Sequence, residues 1–196
     1  MRQRRILLSN SEPNENFTEE DIEVISHLTA ALESSSTLRN AIDAAFLAAE
    51  EDLKCNMMDE RPYGSAEAPI SLLHDLLPPS LRGKVNLCRT FILRAGARLP
   101  SLERHSNSIQ RLVSMRGSGS INIALDEDGS AFRANPIASP SAMNDEKTME
   151  EKLSAHWNVV PANTWHYPEA GHDSNWYTIA FHSASSEGIN DEYKPF

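Results

Sequence analysis

The stretch "RHSNSIQRLVSMRGSG", residues 104–119, sets a histidine, an asparagine and a glutamine close together ahead of an apolar run closed by glycine. Downstream, "HWNVVPANTWHYPEAG" at 156–171 brings further histidines beside a Pro-x-Asn turn. Imidazoles with oxygen donors are the ligand set of a divalent transition metal. Residues two apart on a β-strand share a face. Glu103, His105 and Asn107 therefore share one if the first stretch is a regular strand, and Glu103 could supply a carboxylate. His182, in "YTIAFHSAS", adds an imidazole on a late strand whose register the sequence leaves open. Amide oxygens are poor donors to transition metals, so Asn107 and Gln110 read first as hydrogen-bonders. Arg104 and Arg111, if turned inward, could hold a substrate carboxylate through two parallel hydrogen bonds; turned outward they are ordinary surface residues.

Such residues need a rigid frame, and the chain supplies two kinds. Residues 1–17 are polar and aperiodic and read as a loose arm. Thr18, with Asp21 three residues on, reads as an N-cap with a weak capping box. Ile22, Ile25, Leu28 and Leu32 follow at helical spacing, and Thr37 is placed to cap a second helix carrying Leu38, Ile42, Ala45, Phe46 and Ala49 on one face. The spacing predicts helices over 19–33 and 38–54. Proline and glycine dominate 55–83, which reads as a connector with a short apolar turn. From 85 onward the pattern is β: "VNLCRTFILRA", "RLVSM", "SINIAL", "AFRA", "WNVV" and "WYTIAF" are short apolar runs separated by turn formers. "LDEDGSA" reads as a hairpin turn, and 136–152 as a polar excursion. Many short strands at regular spacing imply an antiparallel sandwich or barrel. The domains so read are an arm (1–17), a helical segment with connector (18–83) and a β-barrel (84–196).

Bulk properties narrow the function classes. The chain has 196 residues, 40% hydrophobic and 23% charged, enough to bury a sizeable core. A net charge of -10 repels phosphate backbones and anionic lipid, so neither nucleic acid nor membrane is an expected partner. The basic start "MRQRRILLSN" has too short an apolar run for a signal peptide. Cys55 and Cys88 lie far apart without a CxxC pairing, which fits reduced thiols in the cytoplasm. No glycine-rich nucleotide loop, GxSxG elbow or complete calcium loop is present. His156 and His172 sit in loop-like sequence and are expected to be exposed. His27 and His74 belong to the helical part, in solvated or capping roles. Trp157, Trp165, Trp176 and Tyr177 read as core and barrel-mouth packing.

Between residues 85 and 185 the chain resembles the cupin superfamily, whose first motif reads G(X)5HXH(X)3–4E(X)6G and whose second reads PXG(X)2H. His105 matches the first histidine, with Asn107 at the second, Gln110 near the glutamate and Gly117 after it. On this alignment the first motif is one residue short. Pro161, Asn163 and His166 match PXG(X)2H, with asparagine for the glycine. The resemblance implies a mainly β fold, an antiparallel double-stranded β-helix (a cupin or jelly-roll barrel) with an N-terminal helical segment. It implies one divalent transition metal, zinc or iron first, manganese or nickel next, held by His105, Gln110 and His166 with Glu103 and His182 as extras. Arg104, Asn107 and Arg111 would then bind substrate. A homodimer through barrel edges is a further implication. The implied activity is metal-dependent turnover of a small polar, amino-acid- or carboxylate-like metabolite, by Lewis-acid lyase, isomerase or rearrangement chemistry or by dioxygenation. The alternatives are a non-catalytic ligand-binding or sensing module and a solidly packed structural barrel. "NSIQRLVSMRGSG", "WNVVPANTWH" and "TIAFHSA" are, more narrowly, similar to zinc cupins that accompany nitrogen–nitrogen bond formation.

Overall fold

The computed structural model describes residues 6–7, 17–56, 60–139 and 149–196. Apart from 6–7 and 17, the expected N-terminal arm lies outside them, as does 140–148 of the expected polar excursion. Helix α1 (Glu19–Ser34) begins where the sequence placed its cap. The Thr18 hydroxyl accepts from the Asp21 amide, and the Asp21 carboxylate accepts from the Thr18 amide, closing the capping box. Helix α2 (Ser36–Cys55) is capped by Ser35 rather than Thr37, its hydroxyl accepting from the Leu38 amide. The "SSST" break is thus a single residue, not a loop, because Ser35 serves as C-cap of one helix and N-cap of the next.

The described residues form eleven strands in chain order: β1 (Ile6–Leu7), β2 (Tyr63–Ala68), β3 (Leu87–Leu93), β4 (Ser101–His105), β5 (Gln110–Arg116), β6 (Ser118–Ala124), β7 (Phe132–Ala138), β8 (Trp157–Val160), β9 (His166–Ala170), β10 (Trp176–His182) and β11 (Asp191–Pro195). They also form the short helices α3 (Ile70–His74), α4 (Pro79–Arg82) and α5 (Met149–His156). One sheet runs β1-β7-β6-β9-β4-β11 and the other β2-β3-β10-β5-β8. Between β3 and β10 the first strand pairs with the last, the second with the next to last, and so inward: β3 with β10, β4 with β9, β5 with β8, β6 with β7, all antiparallel. That nested pairing is the double-stranded β-helix, or jelly roll, of the cupin type. "LDEDGSA" is the innermost turn, where Gly129 takes a positive φ of 59° and the Asp126 carboxylate caps the Ser130 amide.

The second sheet is covered on both faces, which explains its near-continuous apolar strands. Along β10, Ile179 and Phe181 face outward and join Val24, Ile25, Leu28, Leu38 and Ile42 of the helices in one buried cluster. Trp176 and Ala180 face inward and pack with Leu93, Leu112, Ile121 and Ile137 in the barrel. The stretch read as a connector contributes β2, which extends this sheet by pairing with β3. Gly64 makes that possible: a Cβ there would lie 2.0 Å from the Ala49 carbonyl oxygen, so only glycine lets α2 lie this close. Among the described residues no helix is long and apolar enough to cross a membrane.

Candidate metal centre

Strand alternation turns Glu103 and His105 of β4 into the barrel, where His166 opens the neighbouring strand β9. Glu103 and His166 are direct cross-strand partners. The donor atoms of Glu103, His105 and His166 all lie within 4.8 Å of one another. An ion with ligands at about 2.0–2.2 Å keeps neighbouring donors about 3 Å apart, a closure within reach of side-chain adjustment. From the facing sheet come Gln110 and His182, which are register partners on β5 and β10. The His105 ring stands 5.2 Å from that of His166 and 4.8 Å, edge-on, from that of His182. All five residues line one cavity.

The hydrogen bonds at the back of each ring fix which nitrogen faces the cavity. His105 Nδ1 lies 2.7 Å from Asp191 Oδ1, and His166 Nδ1 lies 3.0 Å from the Thr164 carbonyl oxygen. Both oxygens can only accept, so each Nδ1 carries a proton and donates it, leaving the Nε2 lone pairs turned inward. Neither Nε2 has a hydrogen-bonding partner, and both are buried. His166 Nε2 lies 3.2 Å from Glu103 Oε1. Two acceptors at that distance need a positive charge between them, either a proton on Nε2 or a cation. The site thus fits a metal by its donor chemistry and by its orphaned atoms, which also include Gln110 Oε1 and both nitrogens of His182.

Electrostatics favour the ligand forms. Burial alone would raise the Glu103 carboxyl, but the close approach of His166, with His105 and Arg89, outweighs it and holds Glu103 below the ordinary carboxylate value. Burial lowers His105, and the push of His166 adds to it against the pull of Glu103 and Asp191. Burial also takes His182 well below its ordinary value, helped by His105, Arg89 and His166. At neutral pH the centre therefore presents a carboxylate and, at these two positions, uncharged imidazoles.

The remaining expected site residues lie elsewhere. Asn107 falls beyond the end of β4, in an exposed turn, where it donates to the Gly188 carbonyl and accepts from the Asn190 amide. Arg104 is turned out of the barrel by the same alternation that turns Glu103 and His105 in. It pairs with Glu192 and lies over the Trp165 ring, 4.5 Å from its centroid. Arg111, next to the inward Gln110, points into the helical layer and is fully buried on Asp21. None of these three lines the cavity. His156 is also buried rather than exposed, its Nδ1 lying 2.6 Å from the Ala138 carbonyl oxygen. His172 is exposed as expected.

With Asn107 outside, the first motif aligns differently. Glu103 and His105 take the paired HXH positions, residues 106–109 follow, Gln110 stands at the glutamate position and residues 111–116 lead to Gly117. The missing residue disappears, and the carboxylate and an uncharged donor have exchanged places. Asp191 and Arg89 were not found from the sequence. Asp191 lies in a polar tail without a motif, and Arg89 sits in a strand apolar on both faces.

The cavity holds roughly 100 Å³ and is polar at the histidine end. Phe91, Leu93, Leu99, Leu112 and Trp176 add apolar wall, and Tyr63, Ser65, Thr178 and Tyr193 add hydroxyl groups.

No family model and no curated protein matches the chain. Solved structures do. Oxalate oxidase in complex with the substrate analogue glycolate is 13% identical, with 66% of this chain and 55% of that chain covered and a TM-score of 0.45. Oxalate decarboxylase from Bacillus subtilis is 13% identical over 72% of this chain and 30% of that chain, at a TM-score of 0.46. The capsular polysaccharide assembling protein CapF from Staphylococcus aureus is 12% identical over 72% and 31%, at 0.47. The chain thus spans 55% of the first of these and about a third of the other two.

Proposed function

We propose that this protein is a metal-dependent cupin enzyme acting on a small polar, carboxylate-like metabolite. The observation that carries the reading is the convergence of His105 Nε2 and His166 Nε2, both buried and without a hydrogen-bonding partner, on the Glu103 carboxylate. Glu103, His105 and His166 would hold the ion, with Gln110 and His182 beside it. Two imidazoles and one carboxylate with open positions suit iron, and zinc accepts the same donors. Such an ion supplies Lewis-acid polarisation of a substrate oxygen or, if iron, dioxygen chemistry.

The chain's own residues supply the rest. Asp191 and the Thr164 carbonyl orient the two imidazoles. Gln110 and His182 offer hydrogen bonds to a polar group of the substrate, and the apolar end excludes water from it. Unpaired Cys55 and Cys88 support a cytoplasmic setting, and the homodimer belongs to the proposal on the strength of the family resemblance.

The test is elemental analysis of tag-free protein, purified without chelator, beside the His105→Ala, His166→Ala double variant. About one transition-metal ion per chain, absent from the variant, is the expected outcome and also selects the chemistry. No metal in the wild-type protein sinks the enzyme reading. A second reading, ligand binding without turnover, is favoured by the amide at Gln110, which can hydrogen-bond a ligand without adding charge. It predicts ligand affinity in the metal-loaded protein with no product formed.

A further inference from the structure

Register places the lining residues of the second sheet on successive rungs. His182 pairs with Leu87 and Gln110 at the metal end, and Ala180 pairs with Arg89 on the next rung. Thr178 with Phe91, and Trp176 with Leu93, follow. A rung of two residues is about 6.6 Å, so Arg89 lies one step from the polar end and two steps from the apolar floor. Arg89 is the sole lysine or arginine among the described residues that line the cavity. Its Nη2 donates to Glu67 Oε1 at 2.9 Å across the β2–β3 ladder, and Glu67 is held in turn by the Ser186 hydroxyl. Among the described residues, Nε and Nη1 have no protein partner.

From this arrangement we infer that Arg89 anchors the carboxylate of the substrate, and that the substrate class is a small carboxylic acid with an apolar tail lying along Phe91, Leu93 and Trp176. Glu67 holds the guanidinium from the rim and leaves its remaining donors for the acid. The inference rests on the metal-dependent reading in one respect. Glu103, Asp191 and Glu67 outweigh Arg89 in the metal-free cavity, so an anion binds there more weakly than beside a bound dication.

The experiment compares butanoate and hexanoate with 1-butanol and 1-hexanol by isothermal titration calorimetry, on zinc-treated and chelator-treated protein. Wild-type protein should prefer each acid to its alcohol. Hexanoate should bind more tightly than butanoate, by up to about fourfold per added methylene. Arg89→Met should weaken acid binding about 10- to 100-fold while leaving the alcohols and the zinc content unchanged. Arg89→Lys should restore part of the loss, and Glu67→Gln should leave acid binding equal or stronger. If Arg89 were only a cross-strand partner of Glu67, the Glu67→Gln and Arg89→Met variants would behave alike, and that result overturns the assignment. Wild-type protein that fails to prefer acids overturns it too. Acid preference lost in Arg89→Met, in a protein that takes up no zinc, upholds the anchor and defeats the metal reading alone.

Discussion

Arg111 offers the sharpest test of how the helical layer is held to the barrel. Its side chain is 1% exposed, and both Nε and Nη2 donate to Asp21 Oδ1, at 2.9 and 2.6 Å, while Nη1 reaches the Lys84 carbonyl. The other Asp21 oxygen accepts from the Thr18 amide and hydroxyl, so one carboxylate caps α1 and neutralises a guanidinium of β5. Removing one partner of a buried ion pair costs about 3–5 kcal/mol, because the remaining charge is stranded. Asp21→Asn should therefore destabilise by about that much, the cap surviving in part through the amide oxygen. Arg111→Met should cost somewhat less, since the orphaned carboxylate keeps its Thr18 bonds. For a chain this long, 3–5 kcal/mol corresponds to a fall in Tm of roughly 6–20 °C. The double variant should cost about 2 kcal/mol or more less than the sum of the singles, because no stranded charge remains. Urea unfolding followed by circular dichroism measures all four corners of the cycle at constant m-value. Single losses below about 1 kcal/mol that simply add would refute the clamp.

Other outcomes follow from the centre itself. Asp191→Asn should weaken metal affinity about 10- to 100-fold by loosening His105, read by competition with a chromophoric chelator; unchanged affinity would mean that Asp191 does not orient the ring. In metal-free protein, acid should destabilise in two windows. His105 and His182 have folded values below 6.5, so the unfolded chain takes up protons first, and stability falls as pH drops below about 6.5. Glu103 is held below 4.5, so its contribution is lost at lower pH, as the carboxylate protonates. Thermal melts from pH 8 to 4 should show the first decline flattened in His182→Gln. An identical slope in that variant removes His182 from the account.

Much of this architecture is local chemistry that a sequence exposes. The Thr18–Asp21 box, the helical repeat through Ile22, Ile25, Leu28 and Leu32, and the apolar run of β10 each depend on near neighbours. Histidines in both motif halves pointed to one site, and the fold brings His105 and His166 together in it. The outward turn of Arg104 and Arg111 is local too. Each adjoins an inward residue, and alternation sends neighbours to opposite faces.

Other features had no local signal. Alternation repeats every two residues, so it cannot say that β4 stops at His105 and leaves Asn107 in a turn; pairing with β9 and β11 decides that. β2, "YGSAEA", has little strand propensity and is recruited by pairing with β3, under a helix that only Gly64 admits. Arg89 lies in a strand apolar on both faces, so composition cannot tell cavity from helical layer. Its position beside the histidine end is settled by its rung opposite Ala180, a contact between residues far apart in the chain.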